Sequence, residues 1–68
     1  MAREVVIDGR KFYIVSEPDE KRGWMAQVLE IFEAGAEPTA MGIETSGATR
    51  TEADERALGV LQHRLREG

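Results

Sequence analysis

The chain has 68 residues, no cysteine, and thirteen acidic against nine basic residues, for a net charge of -4. That length suits one domain and excludes two. The absence of cysteine excludes disulfides and thiolate metal sites, and the acidic balance lacks the basic surplus with which a small nucleic-acid binder neutralises phosphates. A chain this short buries only about 60% of the surface its unfolded form exposes. Without a disulfide or a metal to staple it, association with another chain is the expected source of extra stability. No stretch approaches the ~18 apolar residues of a membrane helix. Met1-Ala2-Arg3-Glu4-Val5 carries no apolar run, so no signal peptide is expected and the cytoplasm is the expected compartment.

In chain order, Glu4-Val5-Val6-Ile7 is a short β-branched run, and Asp8-Gly9 after it predicts a hairpin, because both turn residues tolerate positive φ. Lys11 to Val15 reads as a second strand, rich in aromatic and β-branched residues. Glu17 to Gly23 is polar, with Pro near its start and Gly at its end, and reads as a turn. Trp24 to Phe32 reads as the longest strand. Glu33 to Ala40 contains Gly35 and Pro38 and reads as a loop; Met41 to Thr45 alternates weakly and reads as a short fourth strand.

The last segment predicts a helix. Thr49-Arg50-Thr51-Glu52 fits the capping box, in which a Thr hydroxyl and a Glu carboxylate each satisfy an orphan backbone N–H. Thr51 with Asp54 fits it two residues later, so either Thr is a candidate cap. Ala53, Ala57, Leu58, Leu61 and Leu65 recur at helical spacing on one stripe. Gly59 falls opposite that stripe, where it costs about 1 kcal/mol relative to Ala. The fold class is therefore α+β: an antiparallel sheet of three or four strands followed by one helix packed on one face, with residues 1–68 forming a single domain.

The strands carry more apolar residues than one helix can cover. In the long strand one face presents Met25, Leu29 and Ile31, and the other Trp24, Ala26, Val28 and Phe32. Phe12 and Ile14 lie on one face of the second strand, and Tyr13 and Val15 on the other. A half-solvated antiparallel sheet alternates apolar with polar, whereas this one is apolar on both sides. A face or an edge is thus expected to be buried by another chain. Tyr13, Val15, Trp24, Ala26, Val28 and Phe32 are the candidate interface residues. Trp24 fits either a core anchor or an interface hot spot, since Trp is enriched in both settings.

Gly47-Ala48-Thr49-Arg50-Thr51-Glu52-Ala53, followed by Ala57, Leu61 and Leu65 at four-residue steps, resembles the HicB-like antitoxin domain. That family has a strand ending in Gly-x-Thr, two residues, Glu-Ala, and then a helix with apolar residues every four positions; here the motif residues are Gly47, Thr49, Glu52 and Ala53. Phe12 to Val15, the acidic turn, Trp24 to Val28 and Met41 to Ile43 are similar in order and spacing to the family's strands. The resemblance spans residues 12–66. It implies a partial RNase H or double-stranded-RNA-binding architecture, self-association as a dimer or tetramer, and binding of a small basic HicA-type RNase toxin. The chain departs from the family in its extra first strand, in Phe32 to Thr39, where a Pro-Asp-x-Pro-Gly-Cys-like turn is usual, and in ending at Gly68 without the C-terminal DNA-binding segment of full antitoxins.

No catalytic, cofactor or metal site is expected. Asp8, Glu30, Glu44 and Asp54 invite comparison with a two-metal nuclease cluster, but their spacing fixes no shared pocket, and they read as solvated strand and helix-cap carboxylates. His63 has no nucleophile motif near it and reads as an exposed residue near the helix C-terminus. Arg50, Arg56, Arg64 and Arg66 tint the helix basic, as a weak RNA contact or as a solvated face. The expected function is a non-catalytic protein-binding module of the HicB antitoxin type, partnered by itself and by a small basic protein, with no membrane and no nucleic acid as sole partner. The alternative is a stand-alone RNA-associated domain of the same architecture.

Overall fold

A computed structural model describes residues 2–67 with the exception of Arg22 and Ala34. Arg22, in the expected turn, and Ala34, in the expected loop, lie outside the described residues. Four antiparallel strands, β1 (Ala2–Ile7), β2 (Arg10–Asp19), β3 (Gly23–Ile31) and β4 (Thr39–Gly47), pair in the order β1-β2-β3-β4, and one helix, α1 (Arg50–Glu67), follows. The α+β class and the four-strand form of the sheet are as the sequence predicts.

The first hairpin turns at Asp8 and Gly9, whose φ values are +51° and +78°. Both central residues are left-handed, the signature of the turn whose twist matches its flanking strands. The second hairpin is tighter than expected. β2 continues through Glu17, Pro18 and Asp19, β3 begins at Gly23, and Glu20 and Lys21 are the described turn residues. Strand pairing outweighs the turn chemistry of Pro18 because β3 supplies a full partner: Pro18 stands opposite Trp24 and Asp19 opposite Gly23.

Alternation along the strands sorts the side chains into two faces. The inner face carries Phe12, Ile14 and Ser16 of β2, Ala26, Val28 and Glu30 of β3, and Ile43 of β4, all buried. The helix covers it with Ala53, Ala57 and Leu61, each fully buried. Val5, Ile7, Trp24, Met41, Leu58 and Leu65 pack around this core.

β4 holds its place on that core despite an irregularity. Gln27 pairs with Glu44 and Leu29 with Ala40, so two steps along β3 meet four along β4 (29 − 27 = 2; 44 − 40 = 4). Gly42, at φ +72°, lies inside the bulge. Two extra residues preserve the two-residue alternation, so Met41, Ile43 and Thr45 all stay on the helix side. A single extra residue would have turned half of them outward.

Candidate functional site: the uncovered sheet face

The six residues read as one interface fall into three environments. Ala26 and Val28 are each 1% exposed and belong to the core beneath α1, which corrects their assignment to an interface. They share the inner face with Phe12 and Ile14, and the helix lands there. Trp24 lies on the same side and packs against the core while remaining half-buried. Phe32 follows the last residue of β3 and is 71% exposed, so it belongs to neither face of the paired strand. Tyr13 and Val15 lie on the opposite, outer face.

No element of the described chain covers that outer face. Register places Tyr13 of β2 opposite Leu29 of β3, Val15 opposite Gln27, Lys11 opposite Ile31 and Glu17 opposite Met25. On the flanks, Glu4 stands beside Tyr13, Ala40 beside Leu29 and Glu44 beside Gln27. Tyr13, Val15, Met25, Leu29 and Ile31 are half-buried by their neighbours alone, and Val6 is mostly exposed. Met25, Leu29 and Ile31 were legible on one strand face from alternation. That they join Tyr13 and Val15 follows only from the β2–β3 register. A shallow groove of about 100 Å³ crosses the acidic end of this face, lined by Val15, Glu17, Met25, Ala26, Gln27 and Glu44.

The Gly-x-Thr-x-x-Glu-Ala motif is accounted for by the way β4 enters the helix. Glu52 N–H donates to Thr49 Oγ1 at 3.1 Å and Ala48 N–H to Glu52 Oε1 at 3.4 Å, so Thr49 is the cap. A Cβ on Gly47 would stand 2.7 Å from Ala53 N and 2.9 Å from Glu52 Cβ. The strand end and the first helical turn therefore touch through a glycine. Thr45 Oγ1 donates to Ala53 O at 2.8 Å, and Ala53 itself is fully buried.

Two of the carboxylates read as solvated are buried instead. Glu30, 5% exposed, accepts from Arg10 Nε and Nη2 at 2.8 Å each, and the guanidinium lies 5.4 Å from the Phe12 ring centroid. The hydrogen bonds from Arg10 outweigh burial and hold the Glu30 carboxyl below its usual range. Asp54, 8% exposed, lies on α1 beside a cleft of about 220 Å³ that Arg3, Ser16 and Arg50 also line, and its Oδ1 has no hydrogen-bond partner. Among the described residues, no three His, Cys, Asp or Glu side chains gather where they could hold a metal ion. Glu44 points to the outer face, opposite to Glu30.

Two of the four helix arginines read as a basic tint serve the sheet edge. Arg56 Nη1 donates to Ser46 O at 2.7 Å and Arg64 Nη1 to Met41 O. Both carbonyls belong to β4, an outermost strand of the sheet, so two of its acceptors are already occupied. Arg56 also pairs with Glu52 at 3.0 Å, and His63 with Glu67 at 3.1 Å, both on the exposed helix surface. No helix is long and apolar enough to cross a membrane. Comparison of the chain with protein-family models, with curated proteins and with solved structures finds no match.

Proposed function

We propose that this chain is a non-catalytic protein-binding module that oligomerises through its sheet and takes a small basic protein as partner, in the manner of a HicB-type antitoxin and its HicA-type RNase toxin. The observation that carries the reading is the outer face, where Tyr13, Val15, Met25, Leu29 and Ile31 form a contiguous apolar strip that α1 does not reach. Apolar area of this kind, ringed by polar residues, marks protein contacts. The net charge of -4 favours a basic partner by long-range attraction and disfavours a phosphate backbone. Arg56 and Arg64 support the preference for protein over RNA, since their guanidinium groups are already committed to β4 carbonyls. The resemblance of Gly47, Thr49, Glu52 and Ala53 to the antitoxin motif names the partner class; the fold alone does not.

Co-expression with a small basic RNase toxin from the same host tests the reading. The expected result is restored growth and a co-purifying complex whose yield falls with salt, together with no gel shift of hairpin RNA below tens of micromolar. Failure to restore growth, or tight RNA binding, would overturn it.

A further inference from the structure

The outer face is polar along the strand direction. Lys11, beside Val6 and Ile31, lies at one end; Glu17, beside Met25, lies at the other, one residue row beyond Glu44. Tyr13, Val15 and Leu29 lie between. Ile14 and Val28 pair at the midpoint of this arrangement. Lys11 and Glu17 are each three residues from it (14 − 11 = 3; 17 − 14 = 3), on the same strand and the same face. Both are exposed, and neither joins an ion pair among the described residues.

From this pattern we infer that the occupant of the outer face is a second copy of the chain, stacked face to face about a two-fold axis that crosses the strands at the Ile14–Val28 row. The inference rests on the reading of this face as a protein-binding surface. Such an axis reverses strand direction and exchanges equidistant positions. It sets Lys11 of each copy over Glu17 of the other, Tyr13 over Val15, and Ile31 over Met25. Leu29 faces Gln27, Ala40 faces Glu44, and Glu4 faces Ala2, so no like charges are opposed. The interface is isologous, as two-fold symmetry requires. Two sheets packed about 10 Å apart leave room for a Lys and a Glu side chain to meet between them, and the usual offset of about 30° leaves these neighbours in reach. An axis running along β2 would set Lys11 over Lys11 and Glu17 over Glu17, and one running between β2 and β3 would set Lys11 over Ile31 and Glu17 over Met25, leaving both charges without a partner.

The face is small. Four strands about 4.8 Å apart and roughly six rises of about 3.3 Å give about 400 Å² per copy. A standard interface takes roughly 800 Å² from each partner. The pairing therefore belongs with weak, transient contacts, and its ion pairs make it sensitive to salt.

The test is a charge exchange read by sedimentation equilibrium across the micromolar range. Wild type is expected to reach twice the 7.6 kDa chain mass. Lys11→Glu and Glu17→Lys each place two like-charged contacts in the dimer and are expected to weaken it about tenfold or more. The double variant K11E/E17K restores both pairs and is expected to recover wild-type association. Circular dichroism of all three variants checks that exposed substitutions leave the fold intact. A wild-type mass of 7.6 kDa throughout, or a dimer indifferent to the single exchanges, would overturn the inference. So would a double variant no better than either single. None of these outcomes bears on the growth-rescue experiment, so self-pairing and partner binding fail separately.

Discussion

Glu30 accepts two hydrogen bonds, each 2.8 Å, from the guanidinium of Arg10, and the pair closes the core beside Phe12. The bonds hold the Glu30 carboxyl below its usual range. A lowered folded-state value means the unfolded chain takes up the proton first. The stabilisation is complete above the ordinary glutamate range of about 4.3 and is lost as pH falls through the folded-state value. Urea midpoints measured between neutral and acid pH are expected to fall with pH in wild type and to fall less in Glu30→Gln. Arg10→Met is expected to be the more damaging single change at neutral pH, because it leaves a buried carboxylate alone. Equal pH slopes for wild type and E30Q would refute the assignment.

Gly47 and Gly59 are expected to respond to alanine with opposite signs. A Cβ at Gly47 meets helix backbone at 2.7 Å, so strand and helix must separate, at a cost of about 1–3 kcal/mol. A Cβ at Gly59 meets nothing within 4 Å, and its helix gains about 0.4–1 kcal/mol. Thermal melts of G47A and G59A decide both, and a stabilised G47A would contradict the close approach.

Thr49→Ala is expected to cost about 1 kcal/mol, since it removes the oxygen that caps Glu52 N–H. Thr51, exposed on the first turn, is expected to change stability by less than about 0.5 kcal/mol when replaced by Ala. Chemical denaturation of the two variants distinguishes them; a reversed order would move the cap.

The two faces of the sheet separate in a substitution series. Leu61→Ala, at a fully buried site, is expected to cost about 2–5 kcal/mol. Val15→Thr, on the uncovered face, is expected to cost less than about 1 kcal/mol in the monomer. Trp24→Ala is expected to lower the melting temperature as well as any partner affinity, because the ring packs on the core. A melting temperature unchanged by W24A would return Trp24 to the interface.

Local chemistry was legible without the fold. Asp8-Gly9 called for left-handed residues and the turn has them. Thr49-x-x-Glu52 announced a helix start, and the cap bonds lie there. Each depends on neighbours a few residues apart, which is the range over which a sequence pattern reports energy. The division of the sheet was not legible. Period-two alternation says that Ala26 and Val28 share one face and Leu29 and Ile31 the other, but it is symmetric between the two. The choice was made at long range, where Gly47 lets the chain turn tightly into α1 and Thr45 fastens Ala53 over the Ala26 side. Glu30 looked solvated because a carboxylate is costly to bury alone, and only the pairing of β2 with β3 brings Arg10, twenty residues away, within reach to bind it.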